Sequence, residues 1–174
     1  DVGGGSTELI LGRADSLPPR PAFRCSFPLG SVRCLERFRC GDAPTAEEFA
    51  NVRRSLGEYV RREMRARAPS GVEGSLAVGI GGTTAILALV HHGRCDFDRE
   101  LVEATEFPRA TLSGLVERLW SMPLAERRQL PGMPPERADV VLFGAAIYEA
   151  VLLELNLPRL AISLRGLRYS ALMM

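Results

Sequence analysis

Apolar positions recur with two periods along the chain, and the change from one to the other marks out its elements. Leu9, Ile10 and Leu11 form a short apolar run closed by Gly12, and Phe23, Cys25 and Phe27 alternate with polar neighbours across Ala22 to Leu29. Both patterns predict strands, the second one half-buried. Arg13 to Pro21, with Asp15, Ser16 and closely spaced prolines, reads as a turn between them. From Phe49 the spacing becomes helical, through Val52, Leu56, Val60 and Met64 to about Ala68, where Pro69-Ser70-Gly71 ends it. Thr45-Ala46-Glu47-Glu48 starts that helix as a capping box, with Thr45 as N-cap and Glu48 reaching back.

The second half repeats the alternation. Ser75 to Ile80 predicts a buried strand, joined through Gly81-Gly82-Thr83-Thr84 to a helix over Ala85 to Val90. Thr111 opens a helix with Leu112, Leu115, Val116 and Leu119 inward. Met122-Pro123 starts a short helix ending near Leu130, and Pro131 to Pro135 is a rigid turn. Glu136 to Leu155 is apolar on most sides, which predicts a helix buried between layers, with Gly144 allowing a neighbour to come close. Leu160 to Leu164 gives a last strand, and Gly166-Leu167-Arg168 leads into a terminal helix. Strands in hairpin order followed by alternating helix and strand predict an α/β fold, a single domain over 1–174.

Composition narrows the chemistry. At 174 residues, 46% hydrophobic and 25% charged, the chain can bury one core. Its net charge of +1 gives no general case for nucleic acid or membrane, so an anion site must be local. Lysine is absent, so any phosphate clamp is an arginine, which binds bidentately. Arginines 53, 54, 61, 62, 65 and 67 fall off the apolar stripe of their helix; interleaved Glu58 and Glu63 favour a solvated face over a polyanion surface. Cys25, Cys34, Cys40 and Cys95 show no C-x-x-C spacing, which fits reduced thiols and a cytoplasmic protein. Adjacent His91 and His92 point about 100° apart on a helix, which favours helix-end packing over a shared metal. Asp1 stands inside a motif, so the chain is expected to be a portion of a longer one, cut within a strand.

That motif is Asp1-Val2-Gly3-Gly4-Gly5-Ser6-Thr7-Glu8. Three glycines bare the backbone, so successive N–H groups can close on an anion. If Gly4-Gly5 form a two-residue turn, Gly3 opposes Ser6, Val2 opposes Thr7 and Asp1 opposes Glu8. Like charges directly opposed cost up to about 1 kcal/mol. A shared proton or a divalent cation held by oxygens offsets that, and beside a phosphate the cation is the more economical choice. The plainer alternative is a tight turn with both carboxylates on a solvated rim. A second anion-ready place is Gly81-Gly82-Thr83, where a strand, a glycine turn and a helix N-terminus follow one another. Arg33, beyond a strand that gives way to a loop, either aims at the glycine turn or pairs with Glu36.

The opening motif resembles the signature of the exopolyphosphatase and guanosine pentaphosphate phosphatase family, at the start of its second, C-terminal actin-like lobe. Later stretches agree in order: Phe27-Pro28-Leu29-Gly30-Ser31-Val32-Arg33, Val78-Gly79-Ile80-Gly81-Gly82-Thr83, Leu130-Pro131-Gly132-Met133 with Arg137-Ala138-Asp139, and Leu167-Arg168-Tyr169. Alone, the first motif is also similar to the phosphate loops of chaperone ATPases and sugar kinases. The resemblance implies a ribonuclease-H-like, actin-like ATPase lobe with a mixed central sheet and helices on both faces. It implies that the complete enzyme hydrolyses the terminal phosphoanhydride of inorganic polyphosphate or guanosine pentaphosphate between two lobes, with Mg²⁺. Asp1 and Glu8 would hold the ion and orient a water. Gly3, Gly4, Gly5, Ser6 and Thr7 would grip the phosphate with Arg33 as a further contact, and Gly81, Gly82 and Thr83 would line the opposite wall. The catalytic glutamate belongs to the preceding lobe, which this chain lacks, so the chain alone is expected to be inactive. Ser170 stands where the family has glycine, which puts Arg168 in doubt as a contact. Other readings are half of an actin-like kinase or chaperone-type ATPase, marked by a bound adenine nucleotide, and a non-catalytic sensor of guanosine polyphosphate. A homodimer is compatible with each of them; a nucleic-acid or membrane partner is not expected.

Overall fold

The computed structural model describes residues 1–13, 21–69 and 71–166. The elements in order are β1 (Thr7–Gly12), β2 (Pro21–Phe27), α1 (Ser31–Phe38), α2 (Ala46–Tyr59) continued by a π-helical segment (Val60–Arg65), β3 (Ala77–Ile80) and α3 (Gly82–His92). They continue with α4 (Arg99–Ala104), β4 (Glu106–Pro108), α5 (Arg109–Ser121), α6 (Leu124–Arg127), α7 (Val141–Glu154) and β5 (Arg159–Ser163). Strands β1 and β2 form an antiparallel hairpin with Leu9 opposite Cys25 and Leu11 opposite Phe23. The other three form a mixed sheet in the order β3-β5-β4, β3 parallel to β5 and β4 antiparallel to it. The mixed α/β class is the expected one, but hydrogen bonding divides the strands into two sheets, with a cleft between β1 and β3.

Helix α7 is the axis of the core. Val141 to Ala150 and Leu152 are buried or nearly so, and α1, α2, α3 and α5 all pack on it. Apolar residues occupy all its faces because it has neighbours on all of them. Trp120 of α5 stacks on Phe49 at 4.9 Å and meets Phe143 edge-on at 5.1 Å, while its indole N–H donates to the Leu142 carbonyl at 3.2 Å. The buried Glu149 carboxylate is held by Arg53 at 2.8 and 2.5 Å. One arginine of the supposedly solvated face thus pairs with the core, and Arg61 likewise reaches Glu154 at 2.8 Å.

The apolar stripe of α2 and the capping box at Thr45 are as expected. The histidines pack, as expected: His91 meets Phe107 edge-on and His92 Nε2 lies 3.1 Å from Thr105 Oγ1. All four cysteines are free. Several expectations need correction. Ser31–Phe38 is a helix, so Arg33 sits in its first turn and not on a loop. No local signal marks that start, because its amides are capped from a distance by carbonyls of Gly3 and Gly4. Helix α4 and the three-residue β4 were not anticipated; β4 takes its conformation from pairing with β5, not from its own sequence. Helix α7 begins at Val141, after a 3-10 turn over Pro135–Arg137, and not at Glu136. Most of the Arg13–Pro21 turn, and the terminal segment with Leu167, Arg168, Tyr169 and Ser170, lie outside the described residues. No helix among the described residues is long and apolar enough to cross a membrane.

Gly144 lets α3 lie against α7, since a Cβ there would be 2.7 Å from Thr83 Cγ2. Overpacking of that kind costs about 1–3 kcal/mol, and alanine's better helix propensity returns about 1 kcal/mol of it. Gly144→Ala is therefore expected to lower the denaturant midpoint by the equivalent of up to about 2 kcal/mol. In a Thr83→Ser background, which removes the opposing methyl, the same change is expected to be near neutral.

Candidate active site

The glycine turn has the register its sequence implies. Asp1 and Glu8 exchange backbone hydrogen bonds, Asp1 N to Glu8 O at 3.0 Å and Glu8 N to Asp1 O at 2.9 Å. Val2 bridges Thr7, and Gly3 N donates to Ser6 O at 2.9 Å. None of Gly3, Gly4 and Gly5 has a positive φ. Of the three, only Gly4 is closely packed, where a Cβ would lie 3.1 Å from Val32 Cγ2. The Gly3 carbonyl accepts Ser31 N at 3.0 Å, and the Gly4 carbonyl accepts Val32 N at 3.0 Å and Arg33 N at 3.2 Å. The turn and the start of α1 are so close that a Cβ on Gly30 would lie 2.4 Å from Gly4 O.

This packing decides which donors are left. The first amides of α1 are consumed by the turn. The N–H groups of Gly4, Gly5 and Ser6 have no acceptor among the described residues, which suits them to an anion. Thr7 is not available in the same way: its buried hydroxyl donates to Leu29 O at 2.6 Å, anchoring the hairpin to the segment before α1. Ser6 Oγ donates to Glu8 Oε1 at 2.6 Å, and Ser26 Oγ donates to the same oxygen at 2.7 Å. These hydroxyl bonds, Ser6 first, hold the Glu8 carboxyl below its usual range.

Asp1 and Glu8 are thus opposed in register but turned to different partners. Glu8 faces β2, while the Asp1 carboxylate faces the second turn, where a Cβ on Gly81 would lie 2.8 Å from Asp1 Oδ1. Gly81 also has φ 97°, a backbone conformation that favours glycine. No group of three or more acidic, histidine or cysteine residues that could hold a metal occurs among the described residues. Two hydroxyls donate to Glu8, which offsets in part the cost of opposing carboxylates. Of the two carboxylates, Asp1 lines the cavity described next and Glu8 does not.

The second turn meets the first. Gly81 is the N-cap of α3, Thr84 Oγ1 caps back to Gly81 O at 3.0 Å, and Thr83 Oγ1 donates to Val2 O at 3.3 Å. Beneath both, the Tyr148 hydroxyl of α7 donates to Ile80 O at 3.0 Å and the Val2 backbone also hydrogen-bonds it; burial raises its pKa well above the ordinary phenol value. Between the turns lies a polar cavity of about 450 Å³ of empty space. Asp1 to Gly4 form one wall, Gly82 and Thr83 the other, and Ser31 and Arg137 close it. Ser31 and Arg137 were not singled out as site residues. Ser31 is brought in only by the unforeseen helix, and Arg137 was visible only as part of a motif. Arg33 lies outside: it is exposed, with Nε 3.9 Å from where a Cβ of Gly5 would be, and it forms no ion pair with Glu36.

Comparison with known proteins follows the same lines. The model of the Ppx/GppA phosphatase family matches residues 1–173. The chain is 32% identical over 159 residues to exopolyphosphatase 2 of Mycobacterium tuberculosis, covering 90% of this chain and 47% of that one. It superposes on the Ppx/GppA phosphatase of Aquifex aeolicus with a TM-score of 0.85 at 26% identity, over 99% of this chain and 54% of the other. An exopolyphosphatase from Cytophaga hutchinsonii shares the fold, with a TM-score of 0.76 at 23% identity. The chain therefore has the actin-like α/β fold of these phosphatases and spans about half the length of the exopolyphosphatase and of the Aquifex protein.

Glu8 supplies a prediction. A carboxyl whose folded pKa is depressed stabilises the protein above its unfolded pKa, and that contribution is lost as pH falls through the folded pKa. Ser26→Ala removes one of the hydroxyls responsible, so NMR titration is expected to show the Glu8 carboxyl pKa rising toward the usual glutamate value, with acid unfolding beginning at higher pH. An unchanged Glu8 titration would contradict the geometry.

Proposed function

The chain belongs to the Ppx/GppA phosphatase family, and from that membership we propose that it forms one lobe of a phosphoanhydride hydrolase releasing the terminal phosphate of inorganic polyphosphate. The observation that carries this reading is the cavity in which two glycine turns, one helix N-terminus and Arg137 face a single space. They supply N–H groups and positive charge, which is what a phosphoryl group with charge on three oxygens requires, and the Asp1 carboxylate is the acidic group in the same lining. Polyphosphate is placed ahead of guanosine pentaphosphate because the M. tuberculosis relative is an exopolyphosphatase.

In this proposal the free amide of Gly4, which lines the cavity, binds the reacting phosphate on one side, with the free amides of Gly5 and Ser6 next along the turn, and the first amides of α3, at Gly82 and Thr83, bind it on the other. Arg137 donates to it as a planar fork, and Ser31 borders the same space. Asp1 accepts a hydrogen bond from the attacking water and holds it in line. Thr7 positions the hairpin through Leu29. Arg33, on the rim, is placed for a phosphate farther along the substrate. Asp1, the carboxylate at this cavity, would hold Mg²⁺, which keeps several waters and needs few protein carboxylates when phosphate oxygens share it, whereas Glu8 is turned to Ser26 and lies outside the lining. When bound, the ion would neutralise phosphate charge. The general base and the opposite wall of the complete site would come from the preceding lobe.

The test is phosphate release by the full-length polypeptide from polyphosphate and from guanosine pentaphosphate, with and without Mg²⁺. Arg137→Ala and Asp1→Ala are each expected to lower kcat on the order of 10²–10³-fold, as loss of a transition-state contact does, with thermal stability little changed. Residues 1–174 alone are expected to release no phosphate at enzymatic rates. Full activity in Arg137→Ala would remove this cavity from consideration, and transfer to an acceptor other than water would favour a kinase.

A further inference from the structure

We propose that Tyr148 is the positioning residue that sets the separation of the two glycine turns, a role that rests on the cavity between them being the phosphate site. Among the described residues no backbone hydrogen bond joins Asp1 to Ser6 with Ile80 to Thr84. Two walls that must grip one phosphate from opposite sides are therefore not held by a sheet ladder. Two hydroxyls link them instead. Thr83 Oγ1 donates to Val2 O at 3.3 Å, and the Tyr148 hydroxyl donates to Ile80 O at 3.0 Å while it is also bonded to the Val2 backbone.

The direction of that last bond follows from valence. A hydroxyl has one proton; with it on Ile80 O, the tyrosine oxygen accepts from Val2, so the Val2 N–H is the donor. The register agrees. Val2 and Thr7 face one another as a non-hydrogen-bonded pair, because Glu8 N and Gly3 N on either side carry the bonds. The Val2 N–H accordingly points away from β1. Val2 and Ile80 hold equivalent places, each immediately before the first glycine of its turn. A relay of two bonds through one oxygen holds such a donor and acceptor farther apart than the about 2.9 Å of a direct N–H···O bond.

The oxygen is itself fixed. Tyr148 is buried on α7, and its ring presses on β3 at Gly79, where a Cβ would lie 3.2 Å from Tyr148 Cε1. Burial raises the pKa of the hydroxyl, so it keeps its proton and remains a donor to Ile80. Tyr148 does not line the polar cavity, so it acts through Val2 and Ile80 and not on the substrate.

Tyr148→Phe keeps the ring and removes the relay. In the full-length polypeptide, amide exchange at Val2 is expected to accelerate about tenfold, the scale of one hydrogen bond. The amide resonances of Gly4, Gly82 and Thr83, which line the polar cavity, are expected to shift. Turnover of polyphosphate is expected to fall about tenfold in kcat, less than a misplacement of about 1 Å can cost, with KM nearly unchanged. Ile147→Val, which trims the preceding buried residue of α7, is expected to lower thermal stability without slowing turnover. The amide measurements need no substrate, so a full-length polypeptide that releases no phosphate refutes the hydrolase reading while Val2 exchange still decides the relay. Unchanged exchange at Val2 overturns the proposal, and so does a Tyr148→Phe enzyme that turns over as fast as Ile147→Val.

Discussion

The site depends on a contact between two stretches of backbone. The carbonyls of Gly3 and Gly4 cap the amides of Ser31, Val32 and Arg33, at a separation that leaves no room for a Cβ on Gly30. A helix start needs acceptors for its first amides, and here a turn more than twenty-five residues away in sequence supplies them. One arrangement therefore does two things. It fixes the turn against α1, and by using the inward-pointing carbonyls it leaves the amides of Gly4, Gly5 and Ser6 as the groups still able to bind. The anion-binding character of the turn follows from where its carbonyls are used.

The same contact explains which parts of the chain could be read in advance. Elements with a local cause were legible: the capping box at Thr45, the stripe of Val52, Leu56, Val60 and Met64, the all-round apolar α7 and the close approach at Gly144. The pairing across the glycine turn was legible because a two-residue turn admits one register. Helix α1 was not, because its cap comes from residues far away in sequence; nor was β4, whose three residues are a strand only beside β5. In the site, the two turns and Asp1 were found from the motif, whereas the diversion of Glu8 toward Ser26 depends on the strand opposite, which β1 alone does not specify. Thr7 was assigned from its place in the motif, and its hydroxyl is used by Leu29.

Asp1 and Val2 separate two cavities of opposite character. On one side the space is small and polar, bounded by amides, hydroxyls and Arg137; on the other it is large and apolar. The larger is not the better candidate for phosphate chemistry, because an apolar wall offers a phosphate oxygen nothing to replace its hydration. What the apolar side can do is hold backbone in place. Tyr148 lines the apolar side, its hydroxyl on Ile80 O and its ring under Gly79, and so holds the end of β3 from which the second turn starts.

Arg137 is held by similar means. Among the described residues it has no carboxylate partner, yet its backbone is pinned on both sides: its own N–H donates to Pro134 O at 2.8 Å, and its carbonyl accepts Val140 N at 3.1 Å. The next residue, Ala138, offers its carbonyl to the buried guanidinium of Arg127 at 3.1 Å, which also donates to Leu119 O and Met122 O. Burial lowers the pKa of Arg127, and an arginine so far from water is retained only if its donors are satisfied. Here three carbonyls take three of its five N–H groups, and the consequence reaches the cavity. With one hydrogen bond, to Ala138 O, Arg127 ties the turn that carries Arg137 to the end of α5, where its other two go, so that Arg137 can keep its own donors for a ligand.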